Sequence, residues 1–272
     1  MKIRDLKEIL EGIGAVPKRS LGQNFLLDKN FARRVVDLLE LEGGELVLEV
    51  GPGVGAITEH IVQSQAGKIL LLEKDDKIIV YLKKRFSEDK RVEVLCEDAL
   101  KWDIRKLYCG LRVFLVGGLP YNVATPLLMR YGAVDSPVER MVIIVQEEVA
   151  ERICAQPFSK HYGGWTVLFG RRWKGEIISR LKPDAFCPRP RVMSAVVRLE
   201  RRPNREIIRC DGGDLERLVW AGFSNRRKQL RKQLGCEREL WNSLSEELGF
   251  SPEARAEELS IEQWQKLASR LG

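Results

Sequence analysis

The first two hundred residues alternate short apolar runs with segments of helical periodicity, and few folds satisfy that pattern. Five of the runs have the apolar character of buried strands: residues 46–50, 69–72, 92–95, 113–116 and 141–145. Between two of them, residues 75–86 repeat apolar side chains at helical spacing. Regular alternation of strands and helices predicts an α/β fold with a doubly wound, mostly parallel, seven-stranded Rossmann-like sheet.

The end of the chain has a different pattern. Two further strands are predicted at residues 165–169 and 194–199, as a hairpin at the sheet edge around a proline-rich loop. Beyond residue 203 the periodicity predicts only short helices, at residues 214–221, 225–234, 237–248 and 261–271. We therefore expect a larger domain of residues 1–202 and a small helical domain of residues 203–272.

Positive charge is concentrated where the helical segment begins. The chain has a net charge of +7, and residues 201–235 hold ten Lys/Arg against four Asp/Glu. Such a segment is typical of proteins that bind polyanions, although a solvated helix face has the same composition. With Ser224 as N-cap, one predicted helix carries the candidate phosphate-binding residues Arg226, Arg227, Lys228, Arg231 and Lys232.

Other features argue against whole classes of protein. No apolar run approaches the ~20 residues that a membrane span needs, and the charged N-terminus lacks an export signal. Six scattered cysteines without a CxxC pair, beside only two histidines, argue against a zinc site or a disulfide framework. We expect a cytoplasmic protein with no metal ion and no membrane partner.

The segment Gly51-Pro52-Gly53-Val54-Gly55-Ala56 joins the first of these strands to a helix. It fits both the G-x-G-x-x-A pattern of dinucleotide-binding proteins and the G-x-G-x-G pattern of S-adenosylmethionine-dependent methyltransferases, so the turn alone does not decide. Glu73 ends the next strand, 22 residues after Gly51, where a carboxylate would bond ribose hydroxyls. Glu49 and Asp98 add acids at neighbouring strands, which suits a cationic sulfonium and repels a pyrophosphate.

A second turn, Val116-Gly117-Gly118-Leu119-Pro120-Tyr121-Asn122, ends another apolar strand. Its glycines allow the backbone to approach a ligand closely, and Pro120 fixes the turn. Tyr121 then offers an aromatic face at the carboxyl end of the sheet, where open α/β sheets bind ligands. This arrangement suits the capture of a flipped-out nucleobase.

Further blocks accompany the two turns in unbroken order between about residues 18 and 234. They are KRSLGQNFL at 18–26, QEEVAER at 146–152, FCPRPRV at 186–192, SAVVRL at 194–199 and FSNRRK at 223–228. Together these segments resemble the rRNA adenine dimethyltransferase family, and within it the bacterial KsgA/RsmA branch. The resemblance implies that S-adenosylmethionine methylates the exocyclic amines of two adjacent adenines near the 3′ end of 16S rRNA, in the small ribosomal subunit, during ribosome biogenesis.

The resemblance also implies roles for single residues. Cofactor contacts fall on Asn24, Leu26, Gly51, Glu73, Asp98 and Gly118. The reaction falls on Gly118, Leu119, Pro120 and Tyr121, with the target adenine held between the rings of Tyr121 and Phe186. The cationic helix would contact rRNA, and the protein would act as a monomer. Positioning and electrostatics carry this chemistry, so no strong general base is expected.

Gly118 departs from the family pattern, which has Asn at this position. The Asn side chain accepts a hydrogen bond from the adenine amine, and losing one such contact typically costs ~10²–10³ in rate. The Leu119 carbonyl and Asn122 are the remaining acceptors nearby. Three alternatives stay open: a large-subunit rRNA adenine methyltransferase of the macrolide-resistance type, a ribosome-assembly factor with catalysis weakened by Gly118, and a nucleotide-dependent oxidoreductase.

Overall fold

The computed structural model describes residues 1–208 and 212–271, and the chain divides into two compact units. The first unit is Met1–Ala150 with Glu176–Glu200, and the second is Glu151–Gly175 with Arg201–Gly272. One division thus falls close to the expected boundary at residue 202. Residues 151–175, which the sequence pattern placed in the larger domain, belong to the second unit because Tyr162 and Val167 are part of its apolar core.

The elements of the chain are numbered in order. The strands are β1 (Phe25–Leu26), β2 (Leu46–Val50), β3 (Lys68–Glu73), β4 (Val92–Cys96), β5 (Val113–Gly118), β6 (Val138–Gln146), β7 (Trp173–Leu181), β8 (Phe186–Cys187) and β9 (Ser194–Arg201). The helices are α1 (Ile3–Gly12), α2 (Lys29–Asp37), α3 (Thr58–Val62), α4 (Asp76–Arg85), α5 (Ala124–Tyr131), α6 (Glu147–Ile153), α7 (Gly164–Gly170), α8 (Gly212–Phe223), α9 (Leu230–Leu234), α10 (Arg238–Leu248) and α11 (Ile261–Leu271).

Seven strands form one sheet in the order β4-β3-β2-β5-β6-β9-β7. Strands β2 to β6 pair in parallel, and β9 runs antiparallel to β6. Every residue of β2 is buried, as expected for a parallel strand covered on both faces. The predicted α/β fold with a mostly parallel seven-stranded sheet is confirmed.

The strand order places a topological switch between β2 and β5. From β2 the chain moves outward to β3 and β4, and then returns to the other side of β2 with β5. Gly51 follows the last residue of β2, and Gly118 is the last residue of β5. In open α/β sheets the ligand crevice lies outside the carboxyl ends of the strands at such a switch, so both glycine-containing turns lie at the expected place.

Local side-chain bonds fix where the helices around this crevice begin. The Asp75 carboxylate accepts a hydrogen bond from the Lys77 amide at 3.2 Å and caps α4, and Asp28 accepts one from the Phe31 amide at 3.0 Å and caps α2. Asp75 is buried and is paired with Lys18 at 2.8 Å. The N-terminal segment is thereby fixed to the start of α4.

The strand predicted at residues 165–169 is wrong, because these residues lie in α7. Trp165 and Phe169 stack on the same helix face with ring centroids 5.4 Å apart, and the Thr166 hydroxyl accepts a hydrogen bond from the Gly163 amide at 3.1 Å. The run is apolar without strict alternation, a pattern that does not separate a buried helix from a strand. The strand beside β9 is instead β7, where exposed and less exposed residues alternate.

Two further predictions concern membrane spans and cysteines. Within residues 1–208 and 212–271, no helix is both long and apolar enough to cross a membrane. Five of the six cysteines are free thiols, and Cys210 lies outside the described residues.

Candidate active site

A cleft of about 180 Å³ opens at the switch point, within the first unit. Five parts of the chain meet there: the N-terminal segment, the glycine turn after β2, the end of β3, the end of β4, and the turn after β5. The predicted residues that line it are Asn24, Gly51, Glu73, Asp98, Gly118 and Pro120. Residues more than ninety positions apart in sequence are thus brought to one surface.

The turn after β2 needs glycine at particular positions. Gly51 and Gly53 have φ values of +68° and +55°, in the left-handed region where a side chain is strained. A Cβ on Gly53 would also lie 2.9 Å from the Phe25 ring. The turn and the N-terminal segment therefore pack directly against each other, and the backbone of the turn faces the cleft without side chains.

Glu73 is buried with its carboxylate held by the backbone. Oε1 accepts hydrogen bonds from the amides of Lys74 at 2.8 Å and Asp75 at 3.0 Å. Oε2 accepts a longer one, 3.3 Å, from the Gly53 amide. Burial raises the pKa of Glu73 despite these three bonds. Since Oε2 has only the one long bond, it keeps a lone-pair site for a ribose hydroxyl.

Asp98 contributes a charged carboxylate to the same cleft. Lys74 Nζ lies 2.9 Å from Asp98 Oδ2, and the Leu100 amide donates to Oδ1 at 3.0 Å. The hydrogen bond from Lys74 lowers the pKa of Asp98, outweighing its partial burial. Asp98 is therefore an anion at neutral pH and an acceptor for an amine.

Glu49 does not behave as the free acid that the sequence suggested. Its side chain is 1% exposed, and Thr58 Oγ1 donates a hydrogen bond of 2.6 Å to its Oε2. Burial raises the pKa of Glu49 to about 8, and the nearby Glu73 adds to the rise. Near neutral pH, in the ligand-free protein, Glu49 is therefore mostly protonated and adds little negative charge to the site.

A second, smaller cavity adjoins the first and shares Asn24, Gly51 and Gly118 with it. Leu26 and Phe186 also line this cavity. The two-stranded ladder of β1 and β8 explains why they meet, since Leu26 is the register partner of Phe186. The structure therefore places an aromatic ring beside the Gly118 turn, as predicted from a loop that lies about seventy residues further along the chain.

The two neighbouring glycines of the β5 turn have different roles. A Cβ on Gly117, whose φ is +154°, would clash with the Val50 carbonyl oxygen, so this glycine is required by the close approach of β2. Gly118 has no left-handed φ, and a Cβ there would meet nothing within 4 Å. Gly118 therefore faces open space in the cleft, and a side chain would fit.

Two further residues of the turn, Leu119 and Tyr121, are held by hydrogen bonds to neighbouring strands. Leu119 is buried, and its amide donates to the Ile144 carbonyl at 3.0 Å. The Tyr121 hydroxyl bonds Ser194 Oγ at 2.5 Å, and burial raises the pKa of this phenol. Neither of the two cavities is lined by Leu119 or Tyr121. The structure thus brings Phe186 to the Gly118 turn but ties Tyr121 by its hydroxyl to β9.

Sequence reasoning missed the role of Gly22. It has a φ of +63°, and a Cβ there would lie 2.9 Å from both Asn122 Oδ1 and Pro120 Cβ. The N-terminal segment therefore packs against the turn after β5, which closes the cleft from a third side. The only signal in the sequence is the glycine inside the SLGQNF block.

The predicted cationic helix at residues 225–234 is wrong over its first half. Helix α9 begins at Leu230, and residues 225–228 form a turn in which Gln233 acts as the partner of the backbone. Gln233 Oε1 accepts from the Asn225 amide at 2.9 Å, and Nε2 donates to the Asn225 carbonyl at 3.0 Å. Ser224 is not an N-cap, because its hydroxyl donates to the Ala221 carbonyl at the end of α8.

The five predicted cations consequently have different surroundings. Arg226 donates to the carbonyls of Lys160 and Ser159, and Arg231 donates to that of Cys236 at 3.2 Å. These two guanidinium groups hold the fold of the second unit. The other three predicted cations, Arg227, Lys228 and Lys232, are exposed, and none of them takes part in an ion pair with another described residue.

The hydrogen-bond acceptors of the main cleft fit S-adenosylmethionine better than a dinucleotide. Carboxylates at Glu73 and Asp98 match a ribose and an amine, whereas Lys74, the cation beside them, is already paired with Asp98. A pyrophosphate would meet these carboxylates without a free positive partner among the lining residues.

Comparison with known proteins agrees with the site. The ribosomal RNA adenine dimethylase family matches residues 15–272. Ribosomal RNA small subunit methyltransferase A of Bacillus mycoides strain KBAB4 is 33% identical over 277 residues, covering 97% of this chain and 94% of the relative.

Two solved structures share the fold. The 23S rRNA methyltransferase ErmE has a TM-score of 0.76 and 24% identity over 91% of this chain and 99% of its own. A dimethyladenosine transferase from Plasmodium falciparum has a TM-score of 0.77 and 20% identity over 89% and 95%. Since the family match covers nearly the whole chain, this protein belongs to the ribosomal RNA adenine dimethylase family and is an rRNA adenine dimethyltransferase that uses S-adenosylmethionine.

Proposed function

We propose that this enzyme dimethylates two adjacent adenines near the 3′ end of 16S rRNA in the small ribosomal subunit, during ribosome biogenesis. The observation that carries the proposal is the switch-point cleft, where Asn24, Gly51, Glu73 and Asp98 meet the Gly118 turn. The 33% identity over 97% of the chain with a relative named for the small subunit supports the choice of substrate.

The residues of the main cleft would hold S-adenosylmethionine. Glu73 Oε2 is placed to accept from a ribose hydroxyl and Asp98 from the adenine amine. Asn24 and Gly51 border the same space, and Leu26 lines the adjoining cavity. When bound, the cofactor supplies a methyl group attached to a sulfonium. The leaving group is then a neutral thioether, which departs readily. The cationic sulfonium is favoured by Asp98 and by ionisation of Glu49, whose pKa of about 8 lies close to neutrality.

The second cavity would receive the target adenine. Phe186 offers an apolar ring for stacking next to Gly118, and we assign Tyr121, which directly follows cleft residue Pro120, as the second stacking partner. We assign the carbonyl of Leu119, which follows cavity residue Gly118 in the chain, as the acceptor for the adenine amine. This amine is a poor nucleophile because its lone pair is delocalised into the ring. An acceptor that holds the amine hydrogens favours pyramidalisation and directs the lone pair to the methyl group. The product amine releases its proton to water.

The second unit would contact rRNA. Arg227, Lys228 and Lys232 are exposed and suited to phosphates, while Arg226 and Arg231 position the turn that presents them. We propose that the enzyme acts as a monomer in the cytoplasm, where immature small subunits are assembled.

Primer extension on both rRNAs tests the substrate. The enzyme is incubated with S-adenosylmethionine and with small and large subunits that lack the modification. Because N6-dimethylation blocks base pairing, reverse transcription is expected to stop at two adjacent adenines near the 3′ end of the small-subunit rRNA. Stops confined to the large-subunit rRNA would assign the chain to the macrolide-resistance type instead.

A further inference from the structure

Phe158 combines exposure with backbone strain. It lies in the second unit, between α6 and α7, and its side chain is 75% exposed. Its φ is +69°, in the left-handed region, which a bulky non-glycine residue rarely adopts. Such outliers persist only where the surrounding structure imposes them, and they cluster at functional positions. A large ring is therefore presented to solvent at an energetic cost that burial does not offset.

The loop around Phe158 is fixed by a set of bonds. The Phe158 amide donates to the Glu257 carbonyl at 2.8 Å, and the Ser159 amide donates to the Gln156 carbonyl at 3.2 Å. Arg226 donates to the carbonyls of Ser159 and Lys160, at 3.3 Å and 2.8 Å, and its guanidinium lies 3.6 Å from the Glu257 carboxylate. The ring is thus held on a rigid support, with little ordering left to occur on binding.

The same bonds join the loop to the cationic turn. Arg226 links directly to Ser159 and Lys160, and the exposed Arg227 and Lys228 follow it in the chain. Lys160, next but one to Phe158, is exposed as well. Proteins bind single-stranded nucleic acid with exposed aromatic rings and cations on one surface, since bases stack on the ring and phosphates meet the cations. The loop of Phe158 and the turn bonded to it provide both kinds of side chain.

We propose that Phe158 is a stacking platform for an unpaired base of the RNA substrate, with Arg227 and Lys228 on the flanking phosphates. The inference rests on the proposed function for its partner, and it assigns to the second unit a contact with a base in addition to the contacts with the RNA backbone. Charge complementarity selects RNA over an apolar protein surface, because the loop that carries the ring is bonded to a turn with exposed cations.

Three variants of Phe158 separate the ring from the strain. Phe158→Ala removes the ring and keeps a side chain at positive φ. Phe158→Gly removes both, so its melting temperature should rise by roughly 2–4 °C while RNA affinity falls. Phe158→Trp keeps a stacking face and should bind as the original does. Both ring-deleting variants should bind small subunits about 5- to 150-fold more weakly, which is the worth of one stacked base.

The controls distinguish stacking from charge and from general apolar contact. Ring deletion should leave the slope of log K against log [salt] unchanged, since no phosphate contact is lost. Leu240→Ala, at an exposed apolar position on α10 in the same unit, should leave the affinity unchanged.

Binding is measured with small subunits and with a short single-stranded RNA oligonucleotide. Weaker binding of both probes by Phe158→Ala and Phe158→Gly supports the platform. Unchanged binding of both overturns it, and so does a loss confined to the subunit, which would assign the ring to a ribosomal protein. If small subunits are not methylated but oligonucleotide affinity still depends on the ring, the proposed substrate fails and the platform stands.

Discussion

Restoring a side-chain acceptor at Gly118 should accelerate methyl transfer. A Cβ at Gly118 meets nothing within 4 Å, and its φ lies outside the left-handed region, so Gly118→Asn introduces neither a clash nor backbone strain. Gly118 lines both cavities, and the new amide would therefore lie where the adenine amine and the methyl group meet. The change adds one acceptor to the reaction centre and leaves Glu73 and Asp98 untouched.

The expected size of the effect follows from what the acceptor does. A preorganised hydrogen-bond partner that acts in the transition state is worth ~10²–10³ in rate. Because we assign part of this role to the Leu119 carbonyl, we expect the turnover rate to rise by up to ~10²-fold. Cofactor affinity should change little, because an interaction gained only in the transition state raises kcat and leaves ground-state binding as it was.

Single-turnover methyl transfer into small subunits measures the rate, and calorimetry with the demethylated cofactor measures the affinity. Gly118→Ala is the matched control, because it fills the same open space and restricts the backbone without adding an acceptor. Equal acceleration by Ala and Asn would show that backbone stiffness limits the enzyme. Slower transfer by Gly118→Asn would show that the pocket has been rebuilt around glycine, and the acceptor argument would be refuted.

Three further predictions concern cofactor, pH and salt. Glu73→Ala should weaken cofactor binding by about 1.5–3 kcal/mol in calorimetry, the worth of hydrogen bonds to a charged group, and the exposed Glu93→Ala should not. Because the folded-state pKa of Glu49 is raised to about 8, the free energy of unfolding should fall as pH rises from about 4.5 to 8. Glu49→Gln should flatten this pH dependence in thermal melts. An unaltered profile would contradict the burial argument. Replacing Arg227 and Lys228 with Ala should reduce the slope of log K against log [salt] for subunit binding by roughly 0.7–0.9 per cation. An unchanged slope would show that these two cations are solvated and do not contact phosphates.

The sequence predicted the sheet and the cofactor cleft because both depend on local patterns. Apolar runs report burial on both faces, and glycines that leave a strand report a turn. Glu73 was found by its distance along the chain from Gly51. These signals are readable from the sequence alone, since each depends on a few neighbouring residues and on the rule that parallel strands end at one edge of the sheet.

What the sequence could not predict depends on contacts between distant segments. The different roles of Gly117 and Gly118 follow from the Val50 carbonyl, which lies on another strand. The protonated state of Glu49 follows from complete burial near a second acid. The cationic turn at residues 225–228 follows from the Gln233 side chain, whose bonds replace those of the predicted helix. None of these partners is identifiable from residue type or spacing alone.

The most direct test of the account is the transfer of labelled methyl groups from S-adenosylmethionine into small subunits that lack the modification, followed by nucleoside analysis of the rRNA. The account predicts dimethyladenosine at two adjacent positions, with Glu73→Ala requiring more cofactor for the same rate. Tight binding of small subunits without incorporation of label at saturating cofactor would contradict it, and would show a binding factor in which Gly118 has abolished catalysis.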